Sequence, residues 1–160
     1  MLTLLCGKMA AGKSTKAADL VASRSAVLFA EDAWLSELYP GQIGSVDDYV
    51  KYSRLIKPVV KPLVQSLLRK GLDVVMDFPA NTSAQRAWLR SIYEEVGADH
   101  ELIYLDVSDD TCLENLAQRR VEQPDRAATD TEEMFRAMSR YFTEPSEDEG
   151  FNIIRLSATE

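Results

Sequence analysis

The chain has 160 residues, 46% of them apolar and 28% charged, with a net charge of −8 at neutral pH. That length suits one domain, large enough to bury roughly 68–70% of its unfolded surface, and that charge argues against a non-specific nucleic-acid or anionic-membrane binder. No apolar run approaches the ~20 residues of a membrane span, and the start has no basic region ahead of its short apolar run, so it is not read as a secretory leader.

Chemistry is narrowed by what is scarce. Cys6 and Cys112 have no CxxC spacing, which favours reduced thiols in a cytoplasm. His100 is the only histidine, which leaves no ligand set for a Cys/His zinc site. No G-x-S-x-G elbow supports a histidine-assisted nucleophile.

In chain order, Leu2–Cys6 reads as a buried strand and Lys13–Arg24 as a helix with Ala17, Leu20 and Val21 on one face. Ala26–Ala30 is a second strand, and Asp32–Tyr39 a short helix stopped by Pro40-Gly41. Ser45–Lys70 has a helical pattern with Ser45 and Asp48 at capping spacing, and Pro58 and Pro62 predict a kink or break near Lys57. Leu72–Asp77 is a third strand after the Gly71 stop, and Thr82 and Gln85 have capping-box spacing for a helix to about Val96. Glu101–Val107 is a fourth strand, and Ser108 caps a helix to about Arg120. Val121–Thr129 reads as a loop, Asp130 and Glu133 as the cap of a helix ending near Phe142, and Phe151–Leu156 as a fifth strand. Strands alternating with helices, and strands apolar throughout, predict a doubly wound parallel α/β sheet with helices on both faces.

One motif names a ligand class. Gly7-Lys8-Met9-Ala10-Ala11-Gly12-Lys13-Ser14 matches G-x-x-x-x-G-K-[ST] in full, between a predicted strand and a predicted helix. The glycines allow a tight turn that aims successive N–H groups inward, and the helix start adds its positive end. Lys13 then meets the β- and γ-phosphates, Ser14 sets its hydroxyl on Mg²⁺, and Thr15 is a lesser phosphate contact.

The rest of the chain separates the kinds of nucleotide protein. A GTPase of the Ras kind carries Asp-x-x-Gly after the magnesium-side strand and an Asn-Lys-x-Asp base reader. Here Asp77-Phe78-Pro79-Ala80 follows the third strand, and no Asn precedes a Lys. A kinase needs a base for an acceptor hydroxyl, an acidic group near Mg²⁺ and arginines for the transferring phosphoryl. Ligands gather at the carboxyl ends of such strands. Glu31-Asp32 follows the second strand, Asp77 ends the third, and Arg119, Arg120 and Arg126 bracket the polar loop after the fourth.

Taken together, the glycine loop, Glu31-Asp32, DFPANT, the arginine-bracketed loop and FTEPSEDEGF resemble the P-loop kinases of the polynucleotide kinase, zeta toxin and chloramphenicol phosphotransferase group. The chain is most similar to a bacterial set described as ATP-binding or AAA-type ATPases. The resemblance covers nearly all of residues 1–160 and implies one P-loop kinase-like domain, strand order 2-3-1-4-5 and a lid at about 119–130. It implies ATP and Mg²⁺ as cofactors, Asp32 as the base, Asp77 as a metal partner through water, and Arg119, Arg120 and Arg126 as lid residues. Polynucleotide kinases carry an Arg three residues after that Asp, where Leu35 stands here, so the implied acceptor is the hydroxyl of a small molecule, a metabolite or an antibiotic, rather than a nucleic-acid end.

Other readings of the same residues stay open at this point. Asp32 also suits a helix cap, Asp77 a strand-end turn, and Arg119 and Arg120 the negative end of a helix. Asn81, Thr82 and Arg86 line the acceptor side or simply cap the next helix. Trp34, Tyr39, Tyr52 and Phe78 form an acceptor wall or core, and Glu144–Glu149 is a solvated run. The rival functions are a nucleotide-sugar or nucleic-acid-end kinase, and a nucleotide-sensing protein with little turnover. A remodelling ATPase comes last, because so short a chain has no room for the helical domain such machines add.

Overall fold

The computed structural model describes residues 1–126 and 130–157. Five parallel strands, β1 (Leu2–Cys6), β2 (Val27–Ala30), β3 (Val74–Asp77), β4 (His100–Asp106) and β5 (Ile153–Ser157), form one sheet in the order β2-β3-β1-β4-β5. The sheet is doubly wound, because alternate residues of its central strands feed two cores. Leu2, Leu4, Val74, Met76, Leu102 and Tyr104 face one side, while Leu5, Val75 and Ile103 face the other with Ala17 and Leu20.

On the second side lies α1 (Lys13–Arg24). The first is covered by α2 (Glu31–Leu38), α3 (Val46–Arg69) and α4 (Ser83–Glu94). After β4 come α5 (Asp109–Glu122), a single 3-10 turn at Pro124–Arg126, and α6 (Glu132–Ser139). Ser45 and Thr82 cap α3 and α4, and Thr82 with Gln85 completes both bonds of the capping box.

The structure corrects the sequence reading in the helices. Pro58 and Pro62 do not break α3, which is helical throughout. Both prolines lie on its exposed side, where carbonyls that lose a partner meet water, and Ile56, Val60, Val64 and Leu68 are buried opposite. Each buried apolar side chain contributes about 1.5–3 kcal/mol, so four of them are enough to offset proline costs of about 3 kcal/mol each. Past Arg120, α5 continues to Glu122, so the expected loop begins two residues later. The cap of α6 is Thr131, whose hydroxyl accepts from the Met134 N–H, not Asp130. Asp130 is instead 1% exposed and paired with Arg119. Its helix stops at Ser139, three residues short of Phe142, where the chain turns to pass Lys8 over the Phe142 ring.

Candidate nucleotide and phosphoryl-transfer site

The glycine loop leaves the carboxyl end of β1 and enters α1 through two left-handed residues, Ala10 (φ 63°) and Gly12 (φ 104°). Gly12 is the N-cap of α1 and brings no side chain to the helix start, so the first N–H groups stay available to an anion. Gly7 is needed for a different reason. A Cβ there would sit 3.2 Å from Ala11 Cβ and 3.3 Å from Leu105 Cβ, closer than ordinary packing allows.

Lys13 Nζ donates to the Gly7 carbonyl at 3.0 Å, which holds its ammonium over the opening of the loop. Ser14 Oγ donates to Asp77 Oδ2 at 2.9 Å. That contact brings together the two residues expected around Mg²⁺ from 63 positions apart. An exposed hydroxyl beside a carboxylate is a hard-oxygen donor set of the kind Mg²⁺ takes, with phosphate and water filling the other positions. Among the described residues no cluster of three or more His, Cys, Asp or Glu stands ready to hold a metal unaided.

Asn81 has a role that sequence reasoning did not assign. Its Oδ1 accepts the Gly7 N–H at 3.1 Å and lies 3.6 Å from Cys6 Sγ, so it fixes the first residue of the glycine loop from across the sheet. Nothing local in the sequence signals this pairing of residues 74 apart. Arg86 is 1% exposed and so does not line the acceptor side. It donates to Ala80 O at 2.9 Å and Thr143 O at 2.7 Å, and pairs with Glu149 at 2.9 Å. Glu149 is therefore tied to the interior and departs from the solvated reading of its acidic run, while Glu144, Glu147 and Asp148 are exposed as expected. Cys6 is buried, and burial pushes its thiol up to about 11, so it is an inert packing group.

The acceptor side begins at the carboxyl end of β2. Glu31 and Asp32 are neighbours with opposite orientation. Glu31 is 2% exposed and accepts hydrogen bonds from Tyr49 Oη and from Ser53 Oγ, the latter at 2.7 Å. Burial raises its pKa despite those two donors. Asp32 is exposed in the first turn of α2, whose N-cap is Ala30, so Asp32 is not the cap. Phe78 is core, while Trp34, Tyr39 and Tyr52 are partly buried against it.

The expected lid residues separate. Arg119 makes two bonds to Asp130, at 2.6 and 3.0 Å. Arg120 is exposed. The side chain of Arg126 and residues 127–129 lie outside the described part. On the opposite flank of the glycine loop, a cleft of about 330 Å³ is lined by Ala11, Leu105, Val107, Thr111, Asn115 and the end of β5. Asn115 Nδ2 donates to the Ala10 carbonyl at 3.0 Å there.

A family model described as an AAA domain matches residues 2–145. A search of curated proteins finds no match. Among solved structures, the chain is similar to a putative kinase from Chloroflexus aurantiacus, with 17% identity, a TM-score of 0.74, and coverage of 99% of this chain and 85% of that one. It is similar at TM-score 0.66 and 17% identity to APS kinase of Mycobacterium tuberculosis, solved with AMPPNP and APS, over 99% of this chain and 88% of that one. A sugar kinase from Janibacter sp. aligns at TM-score 0.66 and 12% identity, over 99% and 86% of the two chains. The shared fold is that of P-loop kinases.

Proposed function

Because this chain belongs to the AAA domain family and has the P-loop kinase fold, we propose that it moves the γ-phosphoryl of MgATP to a hydroxyl of a small molecule. The observation that carries this reading is the Ser14–Asp77 contact of 2.9 Å at the mouth of the glycine loop. It joins a metal-side hydroxyl to a strand-end carboxylate beside Lys13, with Asp32 at the end of the neighbouring strand. The use of ATP is supported by the AMPPNP bound to the similar APS kinase.

In this mechanism Asn81 keeps the Gly7 N–H, the N–H groups from Lys8 to Thr15 that have no protein partner cradle the phosphates, and Lys13 leaves the Gly7 carbonyl for the β- and γ-oxygens. Ser14 and Asp77, the latter through water, would hold Mg²⁺, which supplies positive charge against the phosphate oxygens when bound. The cleft by Thr111 and Asn115 has room for the base. Asp32 accepts the proton of the acceptor hydroxyl as its oxygen bonds to the γ-phosphorus and the bond to the β-phosphate oxygen breaks. Exclusion of water by the segment between α5 and α6 would favour the acceptor over hydrolysis. At the position where polynucleotide kinases carry arginine, Leu35 is buried in the core, which supports a small acceptor over a nucleic-acid end.

The test is Asp32→Asn, assayed with γ-labelled ATP against pooled hydroxylated metabolites and antibiotics. Transfer should fall by about 10²–10⁴-fold, with MgATP affinity kept within twofold. Label passing only to water in the unaltered chain would sink the phosphotransferase reading and leave nucleotide sensing in its place.

A further inference from the structure

A second cleft, of about 370 Å³, opens beside the glycine loop and is lined by Lys8, Asp109, Phe135, Arg136, Ser139 and Arg140. Its position relative to the phosphates follows from Lys13. The ammonium destined for the β- and γ-oxygens rests on the Gly7 carbonyl, so Lys8, the next residue, stands at the terminal-phosphate end of the loop. The base-sized cleft instead touches Ala11, at the far side.

The lining is cationic in a chain of net charge −8. Three cations, Lys8, Arg136 and Arg140, share the lining with one carboxylate, Asp109. Asp109 holds Lys8 at 2.7 Å, and Glu132, one turn back on α6, holds Arg136 at 2.7 Å. Arg140 has no carboxylate partner among the described residues. Ser139 Oγ is buried in the same cleft with no hydrogen-bond partner among the described residues, an unmet polar group of the kind that natural proteins seldom leave. An oxyanion in the cleft would accept from the exposed Arg140 guanidinium, and a turn of the Ser139 side chain would bring its buried hydroxyl to the same anion.

We propose that this cleft binds an anionic group of the acceptor, so that the substrate is a hydroxylated anion such as a sugar acid, a sugar phosphate or a nucleotide. The proposal rests on the phosphotransferase reading. Phosphate and carboxylate share the recognition chemistry, and Arg140 can grip either one bidentately.

The test uses the full chain with γ-labelled MgATP and two matched panels. One holds sugars, polyols and nucleosides; the other holds the corresponding acids and phosphates. Label is expected in the anionic panel alone. Arg140→Ala should raise the acceptor KM about tenfold or more while the ATP KM stays within twofold, and Arg140→Lys should recover part of that loss. Ser139→Ala should give a smaller rise of the same kind. Neutral acceptors labelled as efficiently as their anionic partners would overturn the proposal and leave the phosphotransferase reading standing. A rise in the ATP KM and not the acceptor KM in Arg140→Ala would also overturn it, because the cleft would then read the donor's terminal phosphate. No labelled acceptor in either panel, with MgATP still bound, would remove the phosphotransferase reading and this proposal together.

Discussion

The glycine loop and the α5–α6 segment each follow the carboxyl end of a strand and each carry a cation, but they hold it differently. Lys13 rests on a backbone carbonyl 3.0 Å away. Arg119 makes a two-bond pair with a carboxylate that is 1% exposed. A neutral carbonyl is readily exchanged for a phosphate oxygen. Drawing Arg119 away would strip a charge-assisted pair from a buried carboxylate, which is far more costly. One cation is held in reserve and the other is committed to the fold. Residue type and position are the same kind of information in both cases; the partner decides the role.

The largest effect should come from the uncommitted cation. Lys13→Met is expected to lower kcat/KM for phosphoryl transfer by at least about 10³-fold, or roughly 4 kcal/mol of transition-state stabilisation. Its thermal midpoint should stay close to that of the unaltered chain, since the substitution gives up only one bond to a carbonyl. A steep fall in the midpoint with turnover intact would break the contrast, by making Lys13 structural.

Arg119→Ala should show the reverse. Loss of the pair to Asp130 is expected to cost roughly 2–4 kcal/mol in urea unfolding, below the full buried-pair range because Arg119 is partly exposed. Turnover of the folded fraction should remain within about threefold. A loss of transfer above a hundredfold at unchanged stability would return Arg119 to the phosphate and erase the distinction between the two segments.

That distinction also explains what was legible in advance. The glycine loop could be read because its geometry is local: two glycines, a lysine and a hydroxyl within eight residues specify a turn, an anion nest and a metal-side group. The strands were equally plain, because a sheet covered on both sides needs continuous apolar runs such as Leu2–Cys6. The ends of α5 and α6 could not be read, because Asp130 at capping spacing and Asp130 as a buried partner of Arg119 have the same local sequence. Asn81 and Arg86 were in view as acceptor-side residues, yet their roles depend on Gly7 and Glu149, 74 and 63 positions away. The helical spacing of α3 was visible too, but not that Pro58 and Pro62 would both fall on its solvent side.

The smallest expected effect sharpens the same contrast inside a single dipeptide, where Glu31 is committed to the interior and Asp32 is exposed. Burial raises the Glu31 pKa, and the donors Tyr49 and Ser53 offset only part of that. Folding therefore favours its protonated form. Between the unfolded value of about 4.3 and the raised folded value, the native state binds more protons than the unfolded chain. Stability contributed at this position must then fall as pH rises through that window, and the deficit is complete above the folded pKa. Glu31→Gln removes the titration while keeping an oxygen for one hydroxyl and offering a donor to the other, which Ser and Tyr oxygens can accept. Relative to the unaltered chain, the variant should thus gain stability as pH rises from 4 toward 8, by about 1 kcal/mol or more for each unit of the shift. Urea midpoints of both proteins across that range measure it. A gap that stays constant with pH would mean that Glu31 is ionised in the fold as readily as out of it, and its burial would then be met by Tyr49, Ser53 and the charge of Lys57 rather than by a proton.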